Sequence, residues 1–279
     1  MPPCLERYFQ PLTAQPGFFS PEYCELPPCT ALRPYIRCFW GTQGFDRPLS
    51  QAQPKGRLVT PDVCMDVILS FNFTRNKARD VFCGIDDHAC FSSAAFLAGR
   101  TCTFGIRFYA WSAALFSDED MHGALNARQE SGAYFSGLGQ ALIPMLLHTE
   151  TLAQRARIAQ DYLLSRLRPA RENADVMNAI YAMVRGGGRL GIRELAARHA
   201  VGERRLERLF KTCVGVPPKK MSDLIRYQLL WRELVWGPRE SMVQLALKYG
   251  YFDQAHLIND FKRYHTMTPA EALRFAKKR

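Results

Sequence analysis

Two stretches near the C-terminus repeat one another: LAARHAVGERRLERLFKTCVGVPP from Leu195 and LALKYGYFDQAHLINDFKRYHTMTP from Leu245. Leu195-Ala196 aligns with Leu245-Ala246, Leu206 with Leu257, Phe210-Lys211 with Phe261-Lys262, and Pro218 with Pro269. In both copies Phe follows Leu by four residues and Pro follows Phe by eight. A spacing that occurs twice is a structural constraint. Each copy reads as helix, short turn, helix. The small Ala lets the two helices approach, and the Leu and Phe, at i and i+4, fill the angle between them. Such packing leaves the outer face of the second helix free. A helix of that kind fits the major groove of DNA with its N-terminal residues toward the bases.

In the second copy the positions around Leu257 and Phe261 are filled by Gln254, His256, Asn259, Lys262 and Arg263. Amide and imidazole groups suit base edges, and lysine and arginine suit phosphates. His256 has a second reading, a hydrogen bond within the turn. Between the copies, Pro218 to Trp236 contains no internal Gly or Pro, so its 19 residues can run as one helix of roughly 28 Å at about 1.5 Å per residue. Major-groove faces on one side of B-DNA lie about 34 Å apart, so this strut could present both second helices to one side of a duplex.

Charge points the same way. Of the net +11, residues 151–279 carry +13 and residues 1–150 carry −2. Positive charge confined to one half is the footprint of a polyanion partner, or of a solvated basic surface. Everything after Asn173 reads as helical: 174–185, 192–199, 204–214, 218–236, 242–249, 254–265 and 269–277, with Gly or Pro in the breaks.

Residues 174–279 resemble the DNA-binding domain of AraC/XylS-type transcriptional regulators, which has two helix-turn-helix units joined by a long helix. GYFDQAHLINDFKRYHTMTP carries the resemblance most specifically. LRPYIRCFWG, TPDVCMDVILSFN and FGIRFYAWSAALF resemble the sensor domain of one branch of that family, which implies a small cupin-like β-barrel. Carried over by residue, the resemblance implies that Arg204, Arg205, Glu207 and Arg208 read bases from the first unit. It implies Gln254, Ala255, His256 and Asn259 for the second, with Lys211, Lys262 and Arg263 near phosphates. The chemistry suits these roles: Arg pairs with guanine, Gln with adenine, and Ala with a thymine methyl. Three positions depart from the family pattern. Gly202 stands where a capping Ser is frequent, Ala200 where a turn Gly is, and Asn259 where Arg is common.

The first half reads as strands. Residues 34–41 (PYIRCFWG) form a short aromatic strand ended by the turn residues of FDRPLSQAQPKG. Val63, Met65, Val67, Leu69, Phe71 and Phe73 alternate with Cys64, Asp66, Ile68, Ser70 and Asn72, and Cys102, Phe104, Ile106 and Phe108 alternate with Thr101, Thr103, Gly105 and Arg107. Both are period two with one apolar face. Short strands between Gly and Pro turns favour a barrel or a sandwich. With the barrel that the resemblance implies, the expected fold class is α+β multidomain: a β-barrel sensor and dimerisation domain over 1–167, a linker at 168–173, and an all-α domain over 174–279. In residues 151–168, Leu152, Ala156, Ala159, Leu163 and Leu167 form one apolar stripe, which could pair with a second copy or pack on its own barrel.

Of the 33 aromatic residues, 21 precede residue 151. Most serve a core, and the rest could line a pocket for a small apolar or planar effector. Trp40, Phe104, Arg107, Phe108 and Trp111 are the candidate effector residues, with Arg107 either pairing an anionic group or facing solvent. Eight of nine cysteines precede Cys213 without a Cys-x2-Cys pair, and CGIDDHAC groups Cys83, Asp86, Asp87, His88 and Cys90. They read as inert thiols or as a redox or metal sensor. No nucleotide loop, metal-ligand spacing or other catalytic motif occurs, so neither an enzyme nor a cofactor is expected.

These readings combine into a cytoplasmic, effector-responsive, sequence-specific transcription regulator. The expected partners are double-stranded DNA, a small molecule, RNA polymerase and a second copy of the chain, with no membrane. The alternatives are a redox- or metal-responsive regulator using the N-terminal cysteines, and an N-terminal half that only binds other proteins.

Overall fold

The computed structural model describes residues 4–12, 23–42, 58–91 and 99–277. The turn-rich FDRPLSQAQPKG lies outside the described residues. In the N-terminal half the strands are β1 (Tyr23–Leu26), β2 (Ile36–Thr42), β3 (Leu58–Val59), β4 (Cys64–Asn72), β5 (Lys77–Cys83), β6 (Cys90–Phe91), β7 (Thr101–Tyr109) and β8 (Arg128–Gln129). Six of them make an antiparallel sheet in the order β1-β2-β7-β4-β5-β8, and β3 pairs with β6 separately.

Alternation along β4 and β7 places Val67 beside Ile106 and Leu69 beside Phe104 in register. With Phe39 and Phe108 they are fully buried. The other face is not the solvated face that the alternation predicts. Asp66 stands opposite Arg107, and Trp40 opposite Gly105. The Trp40 indole lies so close that a Cβ on residue 105 would sit 2.0 Å from Cε2, so only glycine fits there. Arg107 is 6% exposed.

The expected closed barrel is corrected by the strand order, which is open among the described residues, with β1 and β8 as its edges. Helices take over part of the covering that closure would supply. Two helices follow the sheet, α1 (Leu138–Leu146) and α2 (Leu152–Arg166). Helix α2 begins with a capping box between Thr151 and Gln154 and packs on β1, β2 and β7. Its stripe of Leu152, Ala156, Ala159 and Leu163 is buried within the chain, and Leu167 is half-buried. Of the two uses expected for that stripe, packing on its own sheet is the one observed.

The C-terminal helices are α3 (Ala174–Arg185), α4 (Ile192–Arg198), α5 (Glu203–Cys213), α6 (Pro218–Trp236), α7 (Met242–Lys248), α8 (Gln254–His265) and α9 (Pro269–Lys277). Each begins and ends within one residue of its expected bounds. Helix α6 runs unbroken for 19 residues. Its Tyr227 and Trp231 pack against Phe261 of α8, at ring separations of 5.5 and 5.6 Å.

The two halves share one apolar core. The backbone N–H of Met121 donates to the Thr212 carbonyl at 2.8 Å, and that of Ala89 donates to the Tyr264 carbonyl at 2.7 Å. The Gln228 side chain on α6 accepts from the N–H of Leu12 at 2.8 Å and donates to the carbonyl of Pro61. Residues 168–173, expected as a linker, are held to the preceding half. Arg166 and Arg168 both pair with Asp118, and Arg171 donates to the Ser117 carbonyl.

Candidate nucleic-acid interface

The two units are α4–α5 and α7–α8. Their inner faces are built as the repeat predicts: Leu195, Ala196, Leu206 and Phe210 in one, and Leu245, Ala246, Leu257 and Phe261 in the other, are all 5% exposed or less. Their turns differ. Helix α8 is capped by Asp253, whose side chain accepts from the N–H of His256 at 2.7 Å. Helix α5 starts at Gly202 with no side-chain cap. Ala200 occupies the left-handed region at φ 51°, where the second unit has Gly250 at φ 70°.

Arg204, Arg205, Glu207, Arg208 and Lys211 on α5 are exposed, as are Gln254, Ala255, His256, Asn259, Lys262 and Arg263 on α8. Arg204, Arg208, Lys211 and Lys262 make no ion pair among the described residues, whereas Arg205 reaches Asp175 at 3.1 Å and Arg263 reaches Asp260 at 2.7 Å. His256 Nδ1 accepts from the N–H of Phe252 at 3.4 Å, and the ring packs edge-on against Tyr251. The in-turn role read for His256 is thus present, on a side chain that still faces solvent.

The five candidate effector residues do not converge. Phe104 stacks on Phe39, Phe108 packs with Phe116 and Phe135, and Trp111 stacks on Tyr109. Trp40 and Arg107 do meet, around Asp66. The Trp40 Nε1–H donates to it at 2.8 Å, and Arg107 donates from Nε at 2.9 Å and Nη2 at 3.1 Å. Asp62 at 3.7 Å and Glu25 at 3.8 Å add further negative charge around the same guanidinium. Arg107 therefore neither faces solvent nor carries an uncompensated charge for an anion. Burial pushes the Asp62 carboxyl up, against the pull of Arg107. A cavity of about 270 Å3 lies elsewhere, lined by residues that include Asp80, Glu130, Gln140 and Ile143.

In CGIDDHAC, Asp86 pairs with Arg128 at 2.6 Å and Asp87 with Lys220 at 2.7 Å. No group of three or more His, Cys, Asp or Glu side chains is placed to hold a metal ion among the described residues. Burial pushes the Cys83 thiol up to about 12 and raises that of Cys90. Both shifts disfavour the thiolate that redox chemistry uses. The residues missed by sequence reasoning are the contacts between the halves: Ala89, Met121, Lys220 and Gln228.

Residues 195–274 match a family profile described as a helix-turn-helix domain. The C-terminal domain is of the AraC type. The matched span begins within α4 and ends in α9, so it takes in most of the first unit, the whole of α6 and all of the second unit. Residues 24–129 match a domain of unknown function (DUF6597). No curated protein matches the chain. Among solved structures, the chain is similar to a transcriptional regulator with an AraC-type DNA-binding domain from Chromobacterium violaceum, at 25% identity over 37% of this chain and 93% of that one, TM-score 0.35. A probable AraC family transcriptional regulator from Rhodopseudomonas palustris is 21% identical over 37% of this chain and 98% of that one, TM-score 0.33. ToxT from Vibrio cholerae is 9% identical over 92% of this chain and all of that one, TM-score 0.41. An AraC-type domain suggests a DNA-binding transcriptional regulator. No helix among the described residues is long and apolar enough to cross a membrane.

Proposed function

We propose that the protein is a sequence-specific transcription regulator whose C-terminal domain, 174–279, reads double-stranded DNA through α5 and α8. Arg204, Arg205, Glu207 and Arg208 meet base edges in one groove segment, and Gln254, Ala255, His256 and Asn259 in the next. Lys211, Lys262 and Arg263 lie along phosphates. One observation carries this reading: two helices of duplicated packing, each exposing polar and basic side chains, flank a single unbroken helix.

The N-terminal half, 1–167 with its connection at 168–173, is in this reading a cupin-like sensor for a small molecule. An effector switches the protein only by binding one arrangement of the halves better than another. The contacts of Leu12, Pro61, Asp87, Ala89 and Met121 with the helical half support a sensor mechanically joined to its output. The redox alternative is disfavoured because partial burial raises both the Cys83 and the Cys90 thiol. RNA polymerase and a second copy complete the proposed partners, with the dimer using a face other than the buried stripe of α2.

The test begins with duplexes selected from a random pool by the full chain. Arg204→Ala should weaken binding at particular base pairs by about 1–3 kcal/mol, and Lys262→Ala should weaken all sequences alike. Equal losses on every sequence from both variants would overturn the sorting of contacts. For the sensor, a thermal-shift screen of small aromatic and anionic compounds should find stabilisation that grows with ligand concentration.

A further inference from the structure

The turn of the second unit is one residue longer than that of the first, and the extra residue is Phe252. In the first unit Val201 alone separates the left-handed Ala200 from the capping position, Gly202. In the second, Tyr251 and Phe252 separate the left-handed Gly250 from the cap, Asp253. Tyr251 is 4% exposed, and its hydroxyl donates to Asp260 at 3.0 Å, so it fills the inward place. Phe252 is 91% exposed.

An apolar residue just before a helix cap ordinarily packs on the fourth residue of the helix. Here that residue is Leu257, fully buried against the rest of the unit, and Phe252 points away from it into solvent. The backbone of the turn is fixed on three sides. Tyr251 N–H donates to the Ala246 carbonyl at 2.8 Å, Phe252 N–H donates to His256 Nδ1 at 3.4 Å, and Asp253 caps α8. A rigid turn thus holds out a large ring that the fold does not use. A single exposed ring is ordinary on a protein surface, so what surrounds this one decides whether it has a use.

Its position says what covers it. Phe252 adjoins the first turn of α8, among exposed Gln254, Ala255 and His256, on a helix that continues to Lys262 and Arg263. The nearest carboxylate, Asp253, is engaged in the cap. A basic, donor-rich surface with one apolar projection complements a major groove, where the apolar feature is the thymine methyl group. We infer that Phe252 is a specificity-determining contact to a thymine methyl at the edge of the site read by α8. This rests on the DNA-reading function proposed above.

The experiment uses the full chain and a duplex enriched from a random pool by the wild-type protein, with each thymine replaced in turn by deoxyuridine, which lacks only the methyl group. At one thymine in the α8 half of the footprint, replacement should weaken wild-type binding roughly fourfold, about what burial of one methyl-sized group is worth. Phe252→Ala should bind the parent duplex more weakly by at least that factor and should be indifferent to the same replacement. Phe252→Leu should recover part of both. An unchanged melting temperature for each variant confirms that the exposed site is not needed for folding. The inference is overturned if Phe252→Ala binds the parent duplex as wild type does. It is equally overturned if that variant loses affinity yet keeps wild-type sensitivity to every deoxyuridine. If Phe252→Ala is silent while Gln254→Ala and Lys262→Ala weaken binding, DNA reading stands and only this contact falls. If all three are silent, the DNA-reading function itself is wrong.

Discussion

Lys220, in the first turn of α6, holds Asp87 of the N-terminal half at 2.7 Å. Asp87 also accepts from the Asn126 side chain and lies 2.9 Å from His88 Nδ1. Burial works against its charge, but the hydrogen bonds from Lys220, His88 and Asn126 prevail and hold its carboxyl well below the usual range. Both partners keep some solvent contact, so the pair is screened. A double-mutant cycle with Lys220→Ala and Asp87→Ala, measured by chemical denaturation, should give a coupling of about 0.5–1 kcal/mol. Zero coupling would show that the pair does not form in solution.

Gly215 should not tolerate a side chain. It lies at φ +83°, and a Cβ there would come within 2.6 Å of the Met121 carbonyl and 2.7 Å of the Ala124 Cβ. Gly215→Ala therefore strains the backbone and separates the halves where Met121 meets Thr212. A loss of about 2 kcal/mol or more is expected in denaturant titrations. A fully stable variant would mean that the two halves are not held this closely.

Ala200 offers the opposite opportunity. Its left-handed backbone suits glycine, which the second unit has at Gly250. Ala200→Gly should stabilise the chain by about 0.5–1 kcal/mol, since the strain relieved exceeds the added freedom of the unfolded chain. Gly202→Ser should add a few tenths of a kcal/mol by capping α5. Urea midpoints of the two single variants and the double variant decide this.

His265 is 2% exposed and hydrogen-bonded to the Tyr227 hydroxyl at 2.8 Å, and burial lowers its pKa to about 4. The folded state thus holds this proton less tightly than the unfolded chain, whose histidine titrates near 6.5. The stability it contributes is full above about pH 6.5 and is lost as pH falls through about 4, amounting to roughly 2–4 kcal/mol. Asp62, raised by burial, acts in the opposite sense, losing its contribution as pH rises. The informative quantity is therefore wild type minus His265→Gln. That difference in unfolding free energy should shrink between pH 6.5 and 4, and a constant difference would rule out a titrating His265.

Salt dependence should rank the three proposed phosphate contacts. Lys211 and Lys262 make no ion pair among the described residues, whereas Arg263 is engaged with Asp260 and the Tyr264 hydroxyl. Replacing either lysine with alanine should lower the slope of log K against log salt by about one. Arg263→Ala should lower it by less, because part of its charge is already neutralised. Fluorescence anisotropy across a salt series reads this directly.

The helical half was legible because its spacing occurs twice and because α6 carries no breaker between Pro218 and Trp236. The caps follow from single residues, Asp253 for α8 and Ser241 for α7. Strand β5 escaped notice because Lys77, Arg79 and Asp80 interrupt its alternation. The Asp66–Arg107 pair joins residues 41 apart, and no local pattern announces a partner at that distance. The open sheet was missed because alternation along a strand says which side chains share a face, and not whether the first and last strands meet. Ala89 and Met121 act through their amides, so their side chains gave no sign of the role.

Those two amides end on the last turns of the helices they touch, Met121 on α5 and Ala89 on α8. Different loops of the strand-rich half thus touch the two helices at their far ends, leaving the leading ends free. In the proposed DNA-bound state, a rearrangement of that half would change the tilt of one helix relative to the other, and so the phasing of two half-sites more than the strength of either. Duplexes that differ only in half-site spacing are where such a signal becomes visible.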